Sequence, residues 1–116
     1  MDYNSFNREN ARTAFEHKIL TAEEEQLCAE RWLEKGDKRA LDKLILAHQR
    51  MAVAAAMKFK NYGLPIDDLI QEGVIGLLEA AKRFDPAKGF RFSTYAGWWI
   101  KASIQDYVLR NWSMVR

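Results

Sequence analysis

Residues 89–101 read GFRFSTYAGWWIK, and this stretch decides how the rest of the 116-residue chain is arranged. Five aromatic side chains fall within ten residues, with Arg91 and Lys101 among them. Ser93 or Thr94 is expected to cap a helix, because a hydroxyl accepts hydrogen bonds from the free N–H groups of the first turn. No helix-breaking residue follows as far as Val108, so a helix is predicted there.

At about 100° per residue, this predicted helix has two distinct faces. The first is an ordinary core stripe of Ala96, Ile100, Ser103, Ile104 and Tyr107. The second carries Tyr95, Trp98, Trp99, Ala102 and Gln105, with Lys101 at its flank. Soluble domains rarely expose a large apolar patch that has no use. The aromatic face is therefore predicted to bind a partner.

Aromatic rings beside Lys and Arg suit unpaired nucleic acid. Bases stack on such rings at roughly 1–3 kcal/mol each, while the cations follow the phosphates. The alternative is that both tryptophans belong to the core, since a helix can bury more than one stripe. Periodicity alone leaves both interpretations open.

Composition indicates one globular domain, with 48% hydrophobic and 29% charged residues. No apolar run reaches the length of a membrane span, and the N-terminus lacks a signal-peptide core. The single cysteine, Cys28, cannot form an internal disulfide, so a reducing cytoplasm is the simplest compartment. Cys28 lies in a helical pattern and is predicted to be a packing residue.

Positive charge is concentrated at one end of the chain. The formal net charge is +2, made up of +5 over residues 82–116 and −3 over residues 1–81. The basic end is also the aromatic end. Because binding of a polyanion depends on clustered positive charge, this coincidence favours nucleic acid as the partner.

Three helices are predicted before the aromatic stretch. Thr21 and Glu24 form a capping box for the first, which should stop at Gly36. Asp37 caps the next, which should reach about Lys60. Its predicted core stripe is Leu41, Leu44, Ile45, Met51, Ala52, Ala55 and Phe59. A lone histidine near this stripe, His48, is more often a hydrogen-bonded packing residue than a ligand. Residues 1–10 show no firm period, and residues 12–18 are predicted as a short helix.

The third of these helices, predicted at about residues 66–83, has two apolar sides. The core stripe is Leu69, Ile70, Gly73, Leu77, Ala80, Ala81 and Phe84. The second stripe is Asp68, Gln71, Glu72, Ile75, Leu78 and Glu79, and its two aliphatic residues are expected to be exposed. An apolar centre inside a charged rim is typical of a protein–protein contact. The other interpretation is a solvated acidic face with two stray aliphatics.

Since no segment shows a strand pattern, the predicted fold class is all-α, a compact multi-helix domain.

An enzyme is not expected. His17, His48 and Cys28 do not have metal-ligand spacing, and no Gly-rich phosphate loop or nucleophile elbow is present. The acid pair Asp67 and Asp68 lies at a predicted helix start, where negative charge meets the helix dipole. The prediction is a protein with no catalytic residues, no metal and no cofactor.

Two motifs resemble a known family. Residues 64–77, LPIDDLIQEGVIGL, and residues 90–101, FRFSTYAGWWIK, are similar to the second conserved region of bacterial sigma factors, the promoter-specificity subunits of RNA polymerase. The two motifs together, in this order and spacing, are highly specific. Similarity runs from about Thr21 to the end of the chain, and residues 107–112, YVLRNW, look like the heat-shock-type branch.

The resemblance implies roles for both unexplained faces. The acidic stripe would dock on the clamp helices of the largest polymerase subunit, through Asp68, Gln71, Glu72, Ile75, Leu78 and Glu79.

The aromatic helix would meet the non-template strand of the promoter's minus-ten element as the duplex opens. Phe84, Lys88, Thr94 and Tyr95 would hold a flipped adenine. Trp98 and Trp99 would lie at the upstream edge of the melted segment. The helix carrying His48, Arg50 and Met51 would hold a second flipped base. The DNA-binding set is completed by Arg91, Phe92, Lys101 and Gln105.

The resemblance also implies boundaries. Residues 1–20 are a poorly defined N-terminal segment, and residues 21–116 correspond to sigma region 2 with part of region 1.2 preceding it. Later sigma domains are absent from this sequence, which is expected to be a fragment of a longer protein. The expected partners are core RNA polymerase, promoter DNA, and an anti-sigma factor or a chaperone, with no membrane.

The predicted function is a specificity factor that recognises and melts the minus-ten element. Many family members have Asn where this chain has Val74, and housekeeping members have Gln and Thr at Ala102 and Gln105. Upstream base preference is therefore expected to differ from the housekeeping pattern and to depend on Lys101 and Gln105. The rival function is a helical adaptor that binds only protein.

Overall fold

Four α-helices dominate the computed structural model, which describes residues 20–114. The helices are α1 Ala22–Lys35, α2 Lys38–Lys58, α3 Ile66–Arg83 and α4 Phe92–Met114. Single 3-10 turns, Lys60–Tyr62 and Pro86–Lys88, lie in the two longer connections. The described part of the chain contains no strand, which confirms the all-α prediction. The short helix predicted at residues 12–18 lies outside it.

The predicted ends of α1 and the start of α2 are confirmed. The Thr21 hydroxyl accepts from the Glu24 N–H and the Glu24 carboxylate accepts from the Thr21 N–H, both at 3.2 Å. Gly36 follows α1 with φ of 62°, a left-handed conformation that glycine adopts without steric cost. Asp37 then caps α2 by accepting from the N–H groups of Arg39 and Ala40. These boundaries are set by local chemistry.

The predicted start of α4 is wrong by two or three residues. Ser93 and Thr94 lie inside its first turn and do not precede it, because the helix begins at Phe92. The Arg91 carbonyl accepts from the N–H of Tyr95 at 3.3 Å. Phe92 is buried, so packing against the core draws it into the helix and overrides the local preference for a hydroxyl cap.

The predicted core stripes of α2, α3 and α4 all face the interior. Every member of the α3 stripe is buried. The longer side chains of the α2 stripe, such as Met51 and Phe59, pack on the core while keeping part of their surface exposed. Cys28 is buried in α1, as predicted, and Trp32 ties that helix to α3 by donating to the Ala81 carbonyl at 3.1 Å.

The acidic face of α3 and the aromatic face of α4 are held relative to each other by close packing of the two helices. A Cβ placed on Gly76 would lie 2.5 Å from the Trp99 carbonyl oxygen and 2.7 Å from the Ser103 hydroxyl oxygen. Gly73, one turn earlier, lies against α2, where a Cβ would meet that of Ala52 at 3.0 Å. Glycine at these positions lets α3 approach its neighbours at the level of the backbone.

We therefore expect Gly76→Ala to lower the free energy of unfolding. The added methyl group meets backbone atoms, which cannot rotate away, and overpacking of this kind typically costs about 1–3 kcal/mol. The gain in helix propensity on replacing glycine offsets at most about 1 kcal/mol of this. Urea denaturation followed by circular dichroism measures the difference.

Gly97→Ala is the matched control, since a Cβ there meets only the flexible end of Met51 at 3.4 Å. This variant should be as stable as the parent or slightly more stable. Equal stability of Gly76→Ala and the parent would show that α3 and α4 can separate freely.

Candidate nucleic-acid and partner interfaces

A buried charge cluster fixes the start of α4. Glu25, on α1, is 2% exposed, and its carboxylate accepts a hydrogen bond from Arg91 Nε at 3.1 Å and forms an ion pair with Arg91 Nη2 at 3.0 Å. The same carboxylate lies 2.9 Å from Nε2 of His48 on α2. The hydrogen bond and the ion pair between Arg91 and Glu25 raise the pKa of Arg91 above its ordinary value, and the hydrogen bond is the larger cause. Three elements distant in sequence thus meet at Glu25.

His48 is a packing residue, as the pattern predicted. It is buried, and its Nδ1 donates to the Leu44 carbonyl at 2.7 Å, while its ring meets Phe92 edge-on at a centroid distance of 4.9 Å. Both ring nitrogens are engaged within the protein. Its position therefore does not support the direct base contact that the resemblance implied for this part of α2.

A series of ring contacts runs from this cluster to the surface. Phe92 packs edge-on against Phe84 at 5.3 Å between centroids, and Phe84 lies 5.6 Å from Tyr95. Tyr95 in turn lies 6.5 Å from Trp99. The guanidinium carbon of Arg83 lies 5.1 Å from the centre of the Trp99 ring, a cation–π contact. The surface aromatic residues are thus supported by buried ones.

Trp98 and Trp99 have different environments. Trp98 is 64% exposed, whereas Trp99 is half-buried and packs against the core. The alternative in which both tryptophans are core residues is therefore wrong for Trp98. Lys101, Ala102 and Gln105 are all exposed on α4. An exposed indole with a lysine one turn away is compatible with stacking of an unpaired base beside a phosphate.

Two residues of the predicted DNA-binding set lie in the core. Phe84 and Phe92 are buried, and their rings pack edge-on against each other. Direct contact of Phe92 with DNA is not supported by this position, because the side chain serves as the packing centre at the start of α4. Phe84 supports the Tyr95 ring from beneath. Lys88 and Thr94 are exposed, and Tyr95 is half-buried.

The remaining predicted DNA-binding residues lie at two other places. A pocket of about 350 Å³ opens between α2 and α4, and Met51 and Lys101 both line it, together with Lys58, Phe59 and Gly97. Arg50 is half-buried next to Met51 in α2. Arg91 lies at the start of α4, where its side chain is 50% exposed despite its ion pair with Glu25.

The acidic face of α3 has one exposed apolar residue at its centre. Ile75 is 44% exposed, and Asp68, Gln71, Glu72 and Glu79 are partly exposed around it. Partial burial is the main cause of a raised pKa at Glu72; the charge of Arg110 opposes this shift, and the neighbouring carboxylates of Asp106 and Asp68 add to it. Tyr107 on α4 donates its hydroxyl to Asp68 at 3.1 Å, so this face extends across the helix pair.

Leu78 departs from the prediction that both aliphatic residues of this stripe are exposed. It is half-buried and packs against the core, because it lies one turn from Val74 on the flank that faces its neighbours. Gln71 adds a feature that the pattern did not show. Its side-chain carbonyl is buried and makes no hydrogen bond within residues 20–114. A buried polar atom without a hydrogen bond is uncommon in a folded protein.

Sequence reasoning left three surface residues out of the site. Phe90 is 55% exposed directly before Arg91, Lys58 lines the pocket between α2 and α4, and Arg83 covers Trp99. Phe90 belongs to the aromatic stretch at residues 89–101, so its ring was a usable signal. The positions of Lys58 and Arg83 depend on which helices pack together.

Metal-binding and membrane-spanning features are not found within the described residues. No group of three or more His, Cys, Asp and Glu side chains there is placed to hold a metal ion. No helix of the described part combines the length and the apolar character needed to cross a membrane.

Comparison with known proteins identifies the helical unit. The family model described as Sigma-70 region 2 matches residues 44–114. The chain is 49% identical over 98 residues to the RNA polymerase sigma factor RpoH of Caulobacter vibrioides, covering 84% of this chain and 33% of that protein. For RpoH of Zymomonas mobilis the identity is 51% over 98 residues, covering 84% and 32%.

A third relative, the RNA polymerase sigma-C factor of Myxococcus xanthus, is 44% identical over 101 residues, covering 87% of this chain and 34% of that protein. The chain thus spans about a third of the length of the curated relatives that it matches.

The raised pKa of Glu72 gives a pH-dependent prediction. Burial disfavours the charged carboxylate in the folded state, so the contribution of Glu72 to stability is present at low pH and lost as pH rises through its folded pKa. Glu72→Gln is neutral throughout and should have a higher melting temperature than the parent at pH 7. The gain should shrink as pH falls through the ordinary carboxyl range.

Glu79→Gln is the control on the same face, because Glu79 pairs with Arg83 at 3.3 Å and with Lys82 at 3.9 Å. It should show no such gain. A Glu72→Gln advantage that is the same at pH 4 and pH 7 would contradict the assignment.

Proposed function

Because the chain belongs to the sigma-70 family of RNA polymerase sigma factors, of which it carries region 2 in a heat-shock-type form, we propose that it acts in transcription initiation. Its proposed task is to recognise the promoter minus-ten element and to melt it by capturing the non-template strand. In this proposal residues 21–116 form the region 2 unit, with part of region 1.2 at its start, and core RNA polymerase performs the catalysis.

The observation that carries the proposal is the environment of Trp98. Trp98 is 64% exposed on the face of α4 that also carries the partly exposed Tyr95 and Trp99, and contiguous apolar surface of this kind marks an interaction site. Trp98 lies in the basic part of the chain, one helical turn from Lys101. Stacking of an unpaired base on this indole, with lysine on the phosphates, uses both features.

Melting needs no bond chemistry in this proposal, only binding energy. Extruding a base from the duplex costs a few kcal/mol, so the protein must replace the lost stacking. Tyr95 is placed to do so, since it is half-buried against Phe84 and so held in one orientation. Lys88 and Thr94, both exposed near the start of α4, would complete the pocket for a flipped adenine.

The acidic face of α3 is the proposed dock for the polymerase clamp helices. Ile75 offers an apolar centre, and the buried carbonyl of Gln71 lacks a hydrogen-bond donor within the described residues. The raised pKa of Glu72 means that its charge is maintained at a cost to folding. Groups that are suboptimal for the fold are expected where binding to a partner uses them.

Base preference at the upstream edge is assigned to Lys101 and Gln105 in this proposal. Both are exposed one turn apart on α4, while Ala102 between them is too short to reach a base edge. Gln pairs bidentately with adenine, and Lys donates to the acceptors of guanine. A lysine that touches only phosphate would instead support all sequences alike.

We expect Trp98→Ala to weaken binding of a labelled minus-ten non-template oligonucleotide by about 1–3 kcal/mol, the contribution of one stacked base. Its stability should change little, because the side chain is mostly exposed. Fluorescence anisotropy with and without core RNA polymerase measures the affinity. Oligonucleotides changed at the upstream positions, titrated against Lys101→Ala and Gln105→Ala, report base preference in the same assay.

Leu33→Ala is the matched control, since Leu33 is an exposed apolar residue on α1, outside the aromatic stretch. Its affinity for the oligonucleotide should equal that of the parent. A chain that binds core polymerase but not the oligonucleotide would favour the protein-only adaptor, and full DNA affinity of the Trp98→Ala variant would exclude Trp98 as a DNA contact.

Reversal of one charge tests the polymerase dock. Glu72→Lys should weaken binding to a clamp-helix coiled coil at least about 10-fold, since the change inverts a charge on the acidic face. Glu34→Lys, which reverses an exposed acid on α1, should bind as the parent does. Surface plasmon resonance compares the three proteins. Undiminished binding by folded Glu72→Lys would place the dock elsewhere.

A further inference from the structure

Glu25 is a buried carboxylate on α1 to which neither the sequence motifs nor the proposed function gives a role. Both of its oxygens are engaged, one with Arg91 Nε and the other with Arg91 Nη2 and His48 Nε2. A bidentate pair of this kind fixes the plane and the direction of the guanidinium. Glu25 therefore determines where Arg91 points.

Arg91 uses only its inner edge for these contacts. Nε and Nη2 face Glu25, and Nη2 also donates to the Leu20 carbonyl at 3.5 Å. Nη1 makes no hydrogen bond to any residue that the structure describes, and the side chain is 50% exposed. The outer edge of the Arg91 guanidinium, whose orientation is fixed and whose charge is permanent, is thus exposed to solvent.

The Arg91 guanidinium lies at the N-terminus of α4, the helix that carries the aromatic face. Arg91 directly precedes α4, and Phe90 beside it is exposed. These two residues line one recess of about 150 Å³ with Gly89, Glu25 and Gln26. A cation and an aromatic ring at the edge of a recess suit a phosphate and its adjoining base.

Two arrangements are consistent with an ion pair at such a place. Glu25 could compete with phosphate for Arg91, or it could hold Arg91 in position for phosphate. The geometry favours the second, because a phosphate can reach Nη1 without breaking either bond to Glu25. His48 also contacts the carboxylate, at 2.9 Å from inside the protein, so Glu25 is held in place independently of a phosphate.

We infer that Glu25 is a positioning residue for nucleic-acid binding, which directs the outer edge of Arg91 towards a backbone phosphate beside Phe90. This inference rests on the proposed function. In a purely structural role Glu25 would affect only stability, whereas here it affects the affinity for nucleic acid by orienting Arg91. Removing Glu25 and removing Arg91 therefore abolish the same contact with the phosphate.

A double-mutant cycle tests the inference in the whole chain. Glu25→Gln and Arg91→Ala should each weaken minus-ten oligonucleotide binding about 10-fold, the size expected for a charge-assisted hydrogen bond. The double variant should be no weaker than the weaker single variant. The dependence of log affinity on log salt should flatten by about 0.7 in each, which is one phosphate contact on a single strand.

Trp32→Phe is the control for destabilisation, because it removes the hydrogen bond from α1 to the Ala81 carbonyl without touching the cluster. It should lower the melting temperature and leave affinity and salt dependence unchanged. If Glu25→Gln does not fold, Arg91→Lys replaces it in the test, since a lysine side chain keeps the charge but cannot span both carboxylate oxygens. This variant should also lose about 10-fold in affinity.

The outcomes separate the inference from the proposed function. A parent that binds no oligonucleotide, even with core polymerase, overturns both. A parent that binds, with Glu25→Gln equal or tighter, overturns the inference alone, and so do losses that multiply in the double variant. Arg91→Lys with parental affinity would likewise show that charge without direction is sufficient.

Discussion

The backbone contact between α3 and α4 at Gly76 is the constraint on which both candidate surfaces depend. At this point α3 lies against the Trp99 carbonyl, so the two helices cannot slide or rotate without collision. The acidic face looks outward from α3 and the aromatic face outward from α4, on a pair of helices that behaves as one body. Protein interiors are close-packed and transmit such constraints with little loss. The relative placement of the two surfaces is therefore a property of the fold.

Local chemistry explains how much of the fold could be predicted from the sequence. The capping box at Thr21, the left-handed Gly36 and the stripe through Leu69 each depend on residues within a few turns, and the structure has all three. The start of α4 depended instead on where Phe92 packs. Its ring meets His48, which is 44 positions earlier in the chain, and no rule of local capping includes that contact.

The candidate site divides in the same way. Periodicity placed Trp98 and Trp99 on one face, but the different burial of two adjacent residues depends on the exact angle at which α3 crosses α4. The contact between Arg91 and Glu25 joins residues 66 positions apart, and a single sequence holds no signal for it. Leu78 was predicted to be exposed from its polar neighbours, and packing buried half of it. Local sequence patterns do not show which residues far apart in the chain contact each other.

Arg83 connects the two surfaces through one side chain. Its Nε donates to Glu79 on the acidic face at 3.3 Å, and its guanidinium lies over the ring of Trp99 on the aromatic helix. A ligand that binds one surface and moves Arg83 changes the free energy of binding at the other surface. Thermodynamic linkage requires this effect to be equal in both directions. If the chain binds polymerase and promoter as proposed, the two are heterotropic ligands of one small domain, each raising or lowering the affinity for the other by the same factor.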